Sequence, residues 1–140
     1  MILLDTNVIS ELMKPNPGSA VKLWVESASA QTFFLSSITA GELWSGVFNM
    51  ANGKRKVLQA AVIAELLEED FADRILPFDI HAARTYGEIY QARKKFNGKQ
   101  KELDCQIAAI AKTHNFKIAT RDTQDFEGCG VEIINPWIPR

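Results

Sequence analysis

Short apolar segments recur along the chain, and each one ends at a polar turn. Residues 2–4, 32–36 and 117–120 are apolar or β-branched at nearly every position. A run without polar alternation is typical of a strand buried on both faces, as in a parallel sheet covered by helices. Weaker runs at 74–78 and 131–134 predict two more strands.

Between these strands, apolar residues recur at three- and four-residue steps, which predicts amphipathic helices. The predicted helical segments are 8–13, 17–29, 37–52, 54–71, 79–96 and 103–115. Strands that alternate with helices favour a three-layer α/β/α sandwich with a mostly parallel central sheet. A length of 140 residues predicts a single domain, 1–140.

Two of the helix starts carry capping signals. Asp79 stands where the N-cap of helix 79–96 is expected. The sequence Thr39-Ala40-Gly41-Glu42 fits the capping-box pattern, in which the glutamate reaches back to the cap residue. On that interpretation Glu42 is structural.

The composition is that of a soluble globular protein, with 46% hydrophobic and 24% charged residues. A net charge of -1 excludes an overall attraction to nucleic acid, so any such binding must be local. One local basic run without acids comprises Arg93, Lys94, Lys95, Lys99 and Lys101. The two cysteines form no zinc or disulfide pattern, and no apolar run is long enough to span a membrane. A cytoplasmic location and reduced thiols are therefore expected.

Four carboxylates stand where a predicted strand has just ended or a helix is just starting: Asp5, Glu42, Asp104 and Asp122. Each could simply cap a helix, because acids are favoured at the positive end of the helix dipole. Asp5 and Asp122, however, both follow strands whose carboxyl ends meet at one edge of a parallel sheet, where ligands bind. We therefore expect the four acids to converge.

Converging carboxylates need a counter-charge, since two of them about 4 Å apart repel by roughly 4 kcal/mol at an effective dielectric of 20. No lysine or histidine accompanies these motifs in the sequence. A hard divalent cation such as Mg²⁺ or Mn²⁺ is the natural partner, and all-carboxylate ligation excludes a structural zinc site. Asn7 and Thr120 could orient the carboxylates, and Asp125 is either a further acid of the site or a loop residue.

Four segments together resemble the PIN-domain nucleases, and more narrowly the VapC-type ribonuclease toxins of bacterial toxin–antitoxin pairs. They are residues 5–8 (Asp-Thr-Asn-Val), 36–43, 104–109 and 119–126. Each motif alone is only weak evidence for this family, but the four motifs in this order and spacing over residues 2–137 are strong evidence.

The resemblance implies Mg²⁺- or Mn²⁺-dependent cleavage of single-stranded RNA by water. It makes Asp5, Asp104 and Asp122 metal ligands, with Glu42 bound directly or through water. It also implies a homodimer, inhibition by a cognate antitoxin whose tail enters the acidic cleft, and a larger complex that binds promoter DNA only through the antitoxin. An acidic cleft repels RNA, so strand affinity is expected from basic residues outside it: Lys94, Lys95, Lys99 and Lys101.

Two alternatives remain open. A phosphatase of the haloacid-dehalogenase kind also begins with an aspartate after a buried strand, but needs a second aspartate where this chain has Asn7. A non-catalytic PIN-like module would use the four acids as helix caps and would only bind a partner.

Overall fold

A five-stranded parallel sheet forms the centre of the molecule in a computed structural model, which describes residues 1–97 and 101–139. The strands run in the order β3-β2-β1-β4-β5, and every adjacent pair is parallel. Their bounds are Ile2–Leu4 (β1), Phe33–Ser36 (β2), Ile75–Leu76 (β3), Lys117–Ala119 (β4) and Ile133–Ile134 (β5). The predicted α/β sandwich with a parallel sheet is confirmed.

Helices cover both faces of this sheet. They are Thr6–Leu12 (α1), Ser19–Glu26 (α2), Ser37–Phe48 (α3), Lys54–Glu65 (α4), Ile80–Asn97 (α5) and Glu102–His114 (α6). Short 3₁₀ turns occupy Ala30–Thr32 and Thr123–Phe126. The long helix predicted at 54–71 is α-helical only as far as Glu65, and a π-helical turn continues it over Leu66–Asp70. In the described part of the chain, no helix has both the length and the apolar character that crossing a membrane requires.

The alternation of side chains along β1 explains why the strand is apolar at every position. Leu3 packs into the core on the α5–α6 face, whereas Leu4 packs into the core on the face of α1 to α4. Ile118 and Ala119 of β4 divide in the same way. Successive strand residues point to opposite faces, so a strand with helices on both sides needs apolar residues at both.

Strand β1 lies at the point where the chain reverses its direction of growth across the sheet. From β1 the chain adds β2 and β3 on one side, and then returns to add β4 and β5 on the other. Ligands of open α/β sheets bind at such a switch point, outside the carboxyl ends of the strands. Asp5 follows β1 there, and Thr120 follows β4.

The predicted capping box at Thr39 and Glu42 is wrong. Helix α3 begins at Ser37, where the helix was predicted to begin, but its N-cap is Ser36 rather than Thr39, and the Ser36 side chain accepts a hydrogen bond from the Thr39 backbone N–H at 3.0 Å. Glu42 therefore lies beyond the first turn, where no backbone donor needs its carboxylate. Its side chain is available for the cleft.

Candidate active site

A cleft of about 850 Å³ opens at the carboxyl edge of β1 and β4. All four predicted carboxylates line this cleft, and two further acids join them: Asp5, Glu42, Asp104 and Asp122, with Glu102 and Asp125. They arrive from four separate parts of the fold, namely the end of β1, the middle of α3, the start of α6 and the turn after β4. The tertiary structure thus brings the four predicted acids to one cleft.

Asp5 is held at both carboxylate oxygens. Its Oδ1 accepts from the Thr6 backbone N–H at 2.8 Å, as expected of the N-cap of α1, and its Oδ2 accepts from Thr120 Oγ1 at 2.8 Å. The side chain is only 6% exposed, and burial raises the pKa of Asp5 although these two hydrogen bonds oppose the rise. The charges of Glu42 and Asp122 raise the pKa further. Asp5 therefore caps a helix and also faces the other acids.

Thr120, which is fully buried, joins the end of β4 to the acids on either side of it. Besides donating to Asp5, its hydroxyl accepts from the Asp122 backbone N–H at 3.0 Å and from Asn7 Nδ2 at 3.4 Å. Asn7 Nδ2 also donates to Asp122 Oδ2 at 3.1 Å, while Asn7 Oδ1 accepts from the Arg121 backbone N–H at 3.3 Å. Asn7 and Thr120 thus lie where they can orient Asp5 and Asp122.

Glu42 is reached by a row of hydroxyl groups that the sequence did not single out. Thr6 Oγ1 donates to Glu42 Oε1 at 2.8 Å and lies 3.0 Å from Thr39 Oγ1, which in turn lies 3.3 Å from Ser36 Oγ. A hydroxyl has one proton and a carboxylate only accepts, so the Thr6 proton is best placed on Glu42. The only available signal was that Thr6 directly follows Asp5 and that Thr39 precedes Glu42 by three residues, on the same side of α3.

Asp104 lies in the first turn of α6 and is half-buried. Burial, and next the charge of Asp5, raise the pKa of its carboxyl to about 7. Asp125 and Glu42 add to this rise, whereas Lys101 opposes it. Asp104 is therefore an acid whose ionisation is opposed first by burial and then by the neighbouring carboxylates.

One lysine does accompany the acids, contrary to expectation. Lys101 lines the cleft, and its Nζ lies 3.0 Å from Asp125 Oδ2. The hydrogen bond from Lys101 to Asp125 raises the pKa of the lysine. Asp125 therefore lines the cleft and pairs with a lysine at its rim. The sequence alone had left open whether Asp125 was a further acid of the site or a loop residue.

The basic run is divided by the structure. Lys94 and Lys95 are exposed in the last turn of α5 and do not line the cleft, whereas Arg93 is buried. Lys99 lies outside the described residues. Of the four lysines predicted to contact RNA, Lys101 is thus the one that the described cleft includes.

Comparison with known proteins gives the family. A model of the PIN domain matches residues 2–128. The chain belongs to the PIN-domain family. It is 46% identical to the VapC ribonuclease Y4jK of Sinorhizobium fredii over 141 residues, covering 99% of both chains. It is 43% identical to toxin FitB of Neisseria gonorrhoeae over 141 residues, covering 98% of this chain and 99% of FitB.

A solved structure agrees with this assignment. The structure of FitAB bound to an IR36 DNA fragment contains a chain that matches this PIN domain with a TM-score of 0.93 and 40% identity, covering 100% of this chain and 98% of the other. The predicted family resemblance is confirmed, and it favours a nuclease over the haloacid-dehalogenase alternative.

The oxygen atoms that line the cleft of this PIN domain are the kind of ligand that a hard divalent cation prefers. Carboxylate and hydroxyl oxygens line the cleft, and the mutual repulsion of the acids is of the kind that a cation relieves. Within residues 1–97 and 101–139, no three His, Cys, Asp or Glu side chains are grouped closely enough to ligate one ion as they stand. Mg²⁺ usually keeps several waters and binds through one or two carboxylates, so it does not require such a cage.

Proposed function

We propose that this PIN domain is a Mg²⁺- or Mn²⁺-dependent endoribonuclease, and that it is the toxin of a toxin–antitoxin pair. The observation that carries the proposal is the convergence of Asp5, Glu42, Asp104 and Asp122 on one open cleft at the switch point of the sheet. The names of the relatives, VapC ribonuclease and toxin FitB, support it.

The roles of the acids follow from how each is held. Asp5, Asp104 and Asp122 are the proposed ligands, and Glu42 binds directly or through water. When bound, the ion lowers the pKa of a water and offsets the charge that builds on the phosphate. Thr120, Asn7 and Thr6 orient Asp5, Asp122 and Glu42, respectively, through the hydrogen bonds described above. Asp125 restrains Lys101 at the rim.

The RNA strand is drawn to the protein by cations outside the acids. Lys101 is the best-placed of these, because it lines the cleft beside Asp104 and Asp122. Lys94 and Lys95 extend the positive charge along the exposed end of α5, and Lys99 is proposed with them from its place in the sequence. Backbone contacts of this kind give affinity without base specificity.

We further propose a cognate antitoxin, a homodimer, and a larger complex in which promoter DNA is bound only through the antitoxin, all in the cytoplasm. The FitAB–DNA complex supports such an assembly. A second groove of about 850 Å³ shares Thr6, Ser10 and Glu42 with the acidic cleft and is lined beyond them by apolar residues such as Leu43 and Val47. An antitoxin tail that enters the cleft has an apolar surface beside it.

The test is cleavage of a fluorescent single-stranded RNA by purified, antitoxin-free protein in EDTA, Mg²⁺ and Mn²⁺. Wild type should cut only with a divalent ion, and Asp5→Asn should lose activity because a ligand charge is removed while the shape is kept. The exposed Asp73→Asn is the matched control and should retain activity. Cleavage in EDTA, or equal activity of Asp5→Asn, would falsify the proposal.

The second candidate is a non-catalytic partner-binding module. It is favoured by the hydrogen bond from the Thr6 N–H to Asp5 and by the place of Asp104 in the first turn of α6, both of which are ordinary capping positions. An inactive wild type that still binds its antitoxin, with Asp5→Asn losing thermal stability and nothing else, would support this candidate.

A further inference from the structure

Arg93 is a buried arginine within a run of residues that looks solvent-exposed in the sequence. It is 3% exposed, although Lys94 and Lys95 next to it are exposed. Its Nη1 donates to the backbone carbonyl of Gln124 at 3.2 Å and to that of Glu127. Helix α5 is thereby bound to a segment 31 to 34 residues further along the chain.

Those two carbonyls belong to the end of a short turn. Residues Thr123–Phe126 form a 3₁₀ helix with Glu127 as its C-cap residue, and the Gln124 carbonyl also accepts from the Glu127 backbone N–H at 3.4 Å. A guanidinium is suited to this place, because it is always charged and presents several N–H donors in a rigid plane. The cost of burying the charge is offset by these hydrogen bonds.

The turn held by Arg93 carries two cleft acids. It begins at Asp122, contains Asp125 and continues to Phe126, which is 1% exposed and anchors the turn in the core. The beginning of the turn is held by Thr120 and Asn7, and its end is held by Arg93.

The start of α6 packs in the same region. Helix α6 contacts both α5 and the turn Thr123–Phe126, and Cys105 lies in one core cluster with Ile89 of α5 and Phe126 of the turn. Cys105 directly follows Asp104. One guanidinium therefore lies where α5, the start of α6 and the segment after β4 meet.

We propose that Arg93 is a positioning residue that fixes the segment 122–129 against α5 and thereby keeps Asp122 and Asp125 facing Asp104. The expected effect on cleavage rests on the proposed nuclease function. The hydrogen bonds by which Arg93 holds the turn do not depend on any activity. Arg93 is too deeply buried to contact RNA, so its influence on the reaction passes through the backbone of the turn.

The test compares Arg93→Met and Arg93→Lys with Arg84→Met, the same substitution at an exposed arginine of the same helix. In Arg93→Met, hydrogen exchange should quicken in peptides covering 122–129 and stay unchanged in peptides covering β1 and β2. Calorimetry should show Mn²⁺ affinity of the RNA-free protein reduced by about 10- to 100-fold, the range for outer partners of metal ligands. In Arg93→Met, kcat should fall by a similar factor while KM stays nearly constant. Arg93→Lys should recover part of each loss, and Arg84→Met should match wild type.

Three results would overturn the proposed positioning role of Arg93. They are unchanged exchange over 122–129, faster exchange throughout the chain with wild-type kcat per folded molecule, and failure of both Arg93 variants to fold. If wild type itself does not cleave RNA, the nuclease proposal fails, while exchange and Mn²⁺ binding still decide the role of Arg93.

Discussion

The two sides of the acidic cleft are held in different ways. On the β1–α3 side, Asp5 and Glu42 accept hydrogen bonds from Thr120 and Thr6, both at 2.8 Å. On the α6 side, the pKa of Asp104 is raised to about 7, chiefly by burial, and Asp125 is paired with the exposed Lys101. The first side is arranged by neutral donors, whereas the second contains a half-buried acid whose ionisation is opposed by burial and by neighbouring charges.

In the proposed metal-dependent nuclease, the two sides would meet two different requirements. Neutral donors fix the direction of a carboxylate without neutralising it, so the first side is organised before any ligand arrives. On the second side, burial and the neighbouring carboxylates make the charge of Asp104 unfavourable until a proton or a cation neutralises it. Three substitutions would break or sharpen this comparison.

The largest effect is expected at Asp104. Asp104→Asn should reduce RNA cleavage by more than about 100-fold, since even outer partners of metal ligands are worth about 10- to 100-fold. In EDTA the same variant should melt above wild type at pH 8. The folded-state pKa of about 7 exceeds the unfolded value of 3.8, so wild type loses stability as the pH rises through 7, and the amide does not.

Melting temperatures between pH 5.5 and 8.5 test this prediction, with Asp73→Asn as the control. The gap between Asp104→Asn and wild type should widen from pH 5.5 to about 7 and then stay level, because the pKa of Asp104 is about 7 in the folded protein and 3.8 in the unfolded chain. A constant gap across that range would contradict the raised pKa of Asp104.

A smaller loss is expected at Thr120 on the first side. Thr120→Val removes the donor to Asp5 and the acceptor for the Asp122 N–H, so cleavage should fall by about 10- to 100-fold. Stability should fall by about 1–3 kcal/mol, because buried groups lose their partner. Thr120→Ser keeps the hydroxyl and should recover most of both losses in the cleavage assay and in urea unfolding. A valine variant with wild-type kcat would show that neutral donors do not organise this side.

The smallest effect is expected at the rim. Lys101→Ala should raise KM by no more than about fivefold with kcat little changed, because exposed ion pairs are worth about 0.2–1 kcal/mol. The dependence of log KM on log salt concentration should become shallower by about 0.7 if Lys101 contacts one phosphate. Lys22→Ala, an exposed lysine on α2, is the control. An unchanged salt slope would remove Lys101 from the RNA path.

The sequence predicted the fold well where one local pattern had one structural meaning. Uniformly apolar strands followed by amphipathic helices led to the parallel sheet, because burial on both faces leaves no other composition for those strands. The position of Asp5 at the end of β1 followed in the same way. Asp125, by contrast, was left between two interpretations, because the Lys101 that defines its role is 24 residues away.

Local sequence was misleading where a residue's partner was distant. Glu42 fits a capping box in its own segment, yet its described partner is the hydroxyl of Thr6, 36 residues earlier. Arg93 belongs to a local run of five basic residues in the sequence, yet its guanidinium is buried against backbone carbonyls of another segment. Hydrogen bonds to backbone carbonyls are independent of side-chain identity in the partner, so they leave no pattern to read.

The amino-acid sequence by itself determined the order of strands and helices, the family resemblance and the set of acids at one edge of the sheet, because each depends on short-range periodicity or on where a parallel strand ends. Only the tertiary structure decided how those acids are held. It placed Thr6 beside Glu42, Thr120 between Asp5 and Asp122, and Arg93 beneath the turn that carries Asp125. Such contacts depend on the packing of segments that are remote in the chain, and that packing is set by the whole core rather than by the residues that meet.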